Sequence, residues 1–205
     1  MEVNLEFLKL LTPLVGVILG VWLAPFIEKR KSNAEAQHIL ESFFVEIEDI
    51  KEQTERSIHF LDDLYKKTTL LKWSKISDDE DFFPIKFPRK IEFLTYDLVL
   101  KNSLKITTLD LRKAFRAINT IAQTLNKKID NFPISQDKQD YDQKEIEELA
   151  RQLAIFYYLV SRLSLEEERF CYFSETDEEV VEKVFSSLKT TFREMDVLGC
   201  KQQGA

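Results

Sequence analysis

Between residues 21 and 198 the chain contains no glycine, although the whole sequence has four. Tight β-hairpins draw on glycine or on Asn-Gly and Asp-Gly pairs, which are missing as well, so a sheet-rich fold would lack its usual turns. Proline is scarce too: beyond the N-terminal stretch only Pro84, Pro88 and Pro133 occur, each in a polar or irregular segment where helices should stop. The expected fold class is therefore all-α. Cys171 and Cys200 are the only cysteines and have no framework spacing, which excludes a disulfide scaffold and suits a reducing compartment. Histidine is limited to His38 and His59. A di-iron bundle needs two Glu-x-x-His pairs, and only Glu35-x-x-His38 is present, so neither a metal nor any other cofactor is expected. Ser186-x-x-Lys189 has the spacing used by some acyl-transferring enzymes, but the partner motifs are missing. No catalytic residue is assigned. Cys171, between Phe170 and Phe173, is expected to be a packed core thiol.

What the chain does have begins with its apolar run. Residues 10–27 are eighteen consecutive positions without a charge. As a helix they would extend about 27 Å, close to the roughly 30 Å hydrocarbon core of a bilayer. Thr12 is the only side chain that interrupts the apolar surface. Glu2 and Glu6 precede the run and Glu28-Lys29-Arg30-Lys31 follow it, unlike the basic start and small-residue exit of a cleaved signal. The run is read as a retained membrane helix, with Trp22 as an interfacial anchor. Lys29, Arg30 and Lys31 on one side outweigh Lys9 on the other, which places the remainder of the chain in the cytoplasm, below the inner or plasma membrane.

Apolar residues then recur at helical spacing. Leu40, Phe43, Ile47, Ile50, Thr54, Ile58, Leu61 and Leu64 form one stripe on a long helix. Leu109, Phe115, Ile118, Ala122, Leu125 and Ile129 form a second; Ile146, Leu149, Leu153, Phe156, Val160, Leu163 and Phe170 form a third. Val181, Val184, Leu188, Phe192 and Met195 form a fourth, opened by a Thr176-x-x-Glu179 capping box and closed by Gly199. A shorter helix over residues 91–100 bridges the first two. The expected architecture is a single N-terminal transmembrane helix followed by a four- to five-helix up-down bundle with a long first helix. Its boundaries are an anchor with basic flank at 1–31, a cytoplasmic bundle at 32–200 and a disordered tail at 201–205. Pro25 and a Ser32-x-x-Glu35 capping box are two places where the anchor can separate from the first cytoplasmic helix. The first stripe approximates a heptad, so it can also meet a copy of itself as a coiled coil. Residues 82–88, Phe-Phe-Pro-Ile-Lys-Phe-Pro, form an apolar loop expected to fold over one end of the core.

Gly16-Val17-Ile18-Leu19-Gly20-Val21 is similar to the glycine-valine dimer core of the glycophorin transmembrane helix. The resemblance implies self-association through Gly16, Val17, Gly20 and Val21, because small residues four apart let two helices approach closely. Thr12-Pro13 and Ala24 depart from that pattern. A membrane helix joined to a helical bundle also looks like the small membrane-bound HEPN-type proteins that accompany some bacterial RNA-guided defence systems. Arg56 precedes His59 by three residues, closer than that family's arginine-to-histidine motif, so ribonuclease activity is not carried over.

Charge is unevenly distributed. Residues 34–65 carry a net −7, residues 66–128 a net +7 and residues 129–196 a net −9. The basic middle either balances its acidic neighbours across the bundle or presents a surface built from Lys66, Lys67, Arg112, Lys113, Arg116, Lys127 and Lys128 to anionic lipid or another polyanion. A net charge of −8 over residues 34–205 argues against nucleic acid. The functional expectation is a non-enzymatic homo-oligomer at the membrane that acts as a scaffold or senses a cytoplasmic protein partner. The alternative is a membrane-disrupting effector of toxin or antiviral-defence type, activated through its bundle.

Overall fold

A computed structural model describes residues 5–73, 88–103, 105–132 and 142–192, with side chains described from residue 15 to residue 69 in the first stretch and throughout the others. It contains α1 (Leu5–Trp73), α2 (Tyr96–Asn102), α3 (Leu109–Asn131), α4 (Gln143–Glu166) and α5 (Asp177–Leu188), with a 3₁₀ turn at Glu167–Arg169. There is no strand among the described residues.

The first helix runs 69 residues without a break, about 100 Å. Pro25 stands inside it, removing one backbone hydrogen bond without ending it. Ser32 caps nothing, because the helix has already started, and Glu35 pairs back to Lys31 at 3.9 Å. Burial begins at Ala36, and all eight stripe residues from Leu40 to Leu64 are buried. One chain thus covers the whole stripe with its own helices, so no seam is left there for a coiled-coil copy.

Antiparallel packing of α4 on α1 is fixed at four levels. Gln37 donates to Glu168 at 2.5 Å, Ser164 donates to Glu48, Tyr157 donates to Glu55 at 3.1 Å and Gln143 donates to Thr69 at 2.9 Å. Hydrogen bonds from Lys51 and Ser164 hold the Glu48 carboxyl below its ordinary value, while burial, with Glu55 alongside, pushes the Tyr157 phenol up. Between these polar contacts lie Ile146, Leu149, Leu153, Phe156, Val160 and Leu163, all buried. Phe170 is buried as well, but beyond the helix and its 3₁₀ turn.

Thr108 caps α3 by accepting from the Leu111 N–H, which places Leu111 and Ala114 in the core and leaves Leu109 outside. Leu109, expected in the stripe, is 64% exposed because it is the first residue of the helix and points away from the packed face. The Phe115 ring, near the start of α3, meets Phe43 edge-on at 4.9 Å, while Asn126, near its end, reaches Ile91 beside the Lys90 carbonyl that Gln53 holds, so α3 runs parallel to α1.

The return between them is mostly not helical. Gln53 donates to the carbonyls of Arg89 and Lys90 at 3.2 and 3.0 Å, and the Asn126 amide both accepts from and donates to the Ile91 backbone at 2.8 Å. Glu46 accepts from the N–H groups of Leu94 and Thr95 and from the Thr95 hydroxyl. Side chains of α1 and α3 hydrogen-bond to backbone groups of residues 89–95, which form no helix; the short helix expected over 91–100 forms only from Tyr96. Pro88 is buried, and residues 82–87 lie outside the described residues.

The Thr176–Glu179 capping box opens α5 with both reciprocal hydrogen bonds in place. It closes at Leu188, well before the expected Gly199, because Lys189 takes the left-handed conformation, φ 55° and ψ 40°. Thr190 then donates to the Phe185 carbonyl at 3.1 Å, a Schellman closure. Met195 and Gly199 lie outside the described residues. Lys189→Gly removes the side-chain penalty of this conformation and is expected to stabilise the protein by about 0.5–1 kcal/mol, read as a rise of about 2 °C in thermal midpoint. An unchanged or lowered midpoint would show that Lys189 is not held left-handed. Past the helix, buried Asp62 accepts from the Thr191 N–H at 2.7 Å and hydroxyl at 2.5 Å and from Lys66 at 2.6 Å, tying the chain back to α1. Cys171 is exposed, not a core thiol, because the extended chain turns Phe170 inward and its neighbour out.

Candidate functional site

The bundle starts at Ala36, and the part of α1 before it is a projecting arm. Every described residue from 15 to 35 is exposed. Val15, Val17, Ile18, Leu19, Val21, Trp22, Leu23, Phe26 and Ile27 are all large apolar side chains in contact with solvent, Val21 at 72% and Trp22 at 64%. At 100° per residue they point to every side of the helix, so the arm has no polar face with which to lie on water. Val17, Ile18, Val21, Trp22, Pro25 and Phe26 line a shallow apolar groove along one side, with the Trp22 and Phe26 rings 5.5 Å apart. A methyl group added at Gly16 or Gly20 would meet nothing within 4 Å, so no contact within the chain requires these glycines. They leave Val17 and Val21 beside open backbone on the same arm. Lys29, Arg30 and Lys31 are exposed at its base.

Among the described residues no helix is long and apolar enough to cross a membrane. Described side chains begin at Val15, and from there the uncharged run is thirteen residues, about 20 Å of helix. The first five uncharged positions, 10–14, belong to α1 but precede the described side chains.

The seven basic residues expected to form one surface are distributed along the bundle. Lys66 is held by Asp62 at 2.6 Å and Asp63 at 3.6 Å, and its ammonium is pushed above its ordinary value mainly by Asp62; Lys67 is exposed. Both lie near the end of α1 farthest from the arm. Lys128 pairs with Glu148 at 3.0 Å, and neighbouring Lys127 is exposed. Arg112, at the other end of α3, donates to the Thr107 carbonyl at 2.9 Å, while Lys113 and Arg116 are exposed. About 21 Å of helix separates Lys113 from Lys127. Arg112, Lys113 and Arg116 thus share the first two turns of α3, and Lys101 in the last turn of α2 and Lys105 in the connection, which sequence spacing alone did not group with them, are exposed as well.

Among the described residues no group of three His, Cys, Asp or Glu side chains is placed to hold a metal ion. Ser186 is half-buried near the end of α5 and Lys189 is exposed beyond it. Neither a family model, a curated protein nor a solved structure matches the chain.

Proposed function

We propose that the protein is a single-pass, membrane-anchored helical bundle that self-associates and holds or senses a partner protein on the cytoplasmic face. The observation that carries this reading is the arm: apolar side chains exposed on every side, bounded by Lys29, Arg30 and Lys31, in unbroken helical continuity with the first core helix. Contiguous apolar surface of this extent marks contact with a membrane or another protein. A membrane is favoured because a protein groove covers one side of a helix, whereas lipid covers all of them. The basic residues at the base support a cytoplasmic position for the bundle.

Self-association is assigned to Gly16 and Gly20 with Val17 and Val21, because the open space at both glycines lets a second arm approach the backbone. The test is the mass of the detergent-solubilised full chain, by light scattering after size exclusion, for wild type and for Gly16→Ile with Gly20→Ile. The expected result is a defined oligomer that falls to monomer in the double variant. An oligomer unchanged by the substitutions would transfer association to the bundle. A monomeric wild type would remove self-association from the reading.

A further inference from the structure

We propose that the arm-side corner of the bundle, made of α2, the turn after it and the first two turns of α3, rests on the headgroups of an anionic bilayer such as one containing phosphatidylserine. This depends on the membrane reading of the arm and adds to it a second, lipid-selective contact.

Position is the first argument. Ser103, in the turn after α2, is fully buried and donates to the Ala36 carbonyl at 2.8 Å, which brings that turn to the level where the arm enters the bundle. Phe115 lies beside Phe43, and α3 runs parallel to α1, so Leu109 is about 9 Å nearer the arm than Phe115. From Ile27, the last uncharged residue of the run, to Ala36 is nine residues, about 14 Å along the helix. A headgroup layer occupies about 5–8 Å of that, leaving a gap of about 6–9 Å, comparable with a Debye length of about 8 Å.

Chemistry is the second. Lys101, Lys105, Lys113 and Arg116 are exposed, and none of them makes an ion pair among the described residues. Five basic residues against Asp97 and Asp110 give residues 96–116 a net +3. Among them Leu98, Ile106 and Leu109 are exposed apolar side chains. Apolar tips interleaved with lysines match a headgroup surface, which the tips touch while the ammonium groups stay with phosphate and carboxylate. The same end carries Glu166, Glu167 and Glu168, located there by the Gln37–Glu168 hydrogen bond, with Arg162 paired to Glu166 and Arg169 following them, a local net of −1. An anionic surface therefore favours the α2 and α3 corner over this turn. Lys66, Lys67, Lys127 and Lys128 sit too far from the arm to take part.

The test uses the full chain carrying Cys171→Ser, Cys200→Ser and Leu109→Cys, labelled with an environment-sensitive fluorophore and reconstituted into phosphatidylcholine vesicles with and without phosphatidylserine. A second sample carries the label at Lys127→Cys. The expected result is a blue-shifted, lipid-quenchable signal at position 109 that requires phosphatidylserine, is absent at position 127 and is lost at high salt. Replacing Lys101, Lys105 and Lys113 by glutamate should abolish the preference, each lysine accounting for about a fivefold change in partition. A position-109 signal that stays water-like in both vesicles, with the protein integrated, overturns the headgroup contact and leaves the membrane reading standing. A signal equal in both vesicles overturns the selectivity for anionic lipid. Failure of the chain to integrate into either vesicle overturns both.

Discussion

Lysine at both Val17 and Val21 is expected to convert a protein that stays with membranes through alkaline carbonate extraction into one that is released by it. The two valines lie near the middle of the eighteen-residue uncharged run, one turn apart on the same side of α1. A lysine at the centre of a membrane helix costs about 2.5–3.5 kcal/mol, so the pair costs about 6 kcal/mol, a factor of about ten thousand in partition. Their central position keeps both ammonium groups far from either interface, which limits relief by snorkelling. The comparison variant is Val45→Lys. Val45 is as exposed as Val17, at 65%, and lies on the same helix beyond the base of the arm. It should leave extraction unchanged. Release of the wild type by carbonate, or retention of the double variant, would sink the membrane reading.

Phe43→Ala is expected to cost about 4 kcal/mol, roughly a third of the stability of an ordinary domain. The Phe43 ring has no solvent exposure and touches three elements: Phe115 of α3 at 4.9 Å, Phe93 of the non-helical return at 5.9 Å and Tyr96 of α2 at 6.4 Å. These neighbours belong to separate elements and cannot all move inward to fill the space. In thermal unfolding followed by circular dichroism the midpoint should fall by about 10 °C. Leu94→Ala, at a residue 84% exposed, should move it by less than about 2 °C. A loss at Phe43 no larger than that at Leu94 would mean that the three elements do not converge on this ring.

The helices were legible where local spacing decides the outcome. The stripe from Leu40 to Leu64 is buried without exception, and the Thr176–Glu179 box forms as its four-residue pattern dictates. The misreadings occurred where a distant residue decides. Residues 91–95 were expected to open a helix that runs to residue 100, but Glu46 and Asn126 hydrogen-bond to their backbone from outside, and nothing within those five positions records it. α5 ends at Lys189, a residue with no intrinsic preference for the left-handed region, so the search for a glycine ran past it. Leu109 was assigned to the core because its spacing fits, although Thr108 caps the helix with Leu109 facing out. The apolar arm and the basic residues at its base were visible in the sequence. That the turn between Lys101 and Lys105 comes to Ala36, where the arm enters the bundle, depends on one hydrogen bond between Ser103 and Ala36, sixty-seven residues apart.

Continuity of α1 also makes the arm and the bundle a single shaft. A flexible linker would let each part turn independently; an uninterrupted helix fixes the azimuth of one relative to the other. The missing hydrogen bond at Pro25 gives the shaft a compliant point for bending, but torsion still passes through it. Each residue added between Ile27 and Ala36 would turn the bundle by 100° about the arm's axis, while seven would return it to within about 20° of its original phase. The junction thus acts as an angular index, setting which side of the bundle meets whatever lies beside the arm, and a rotation imposed at one end arrives undiminished at the other.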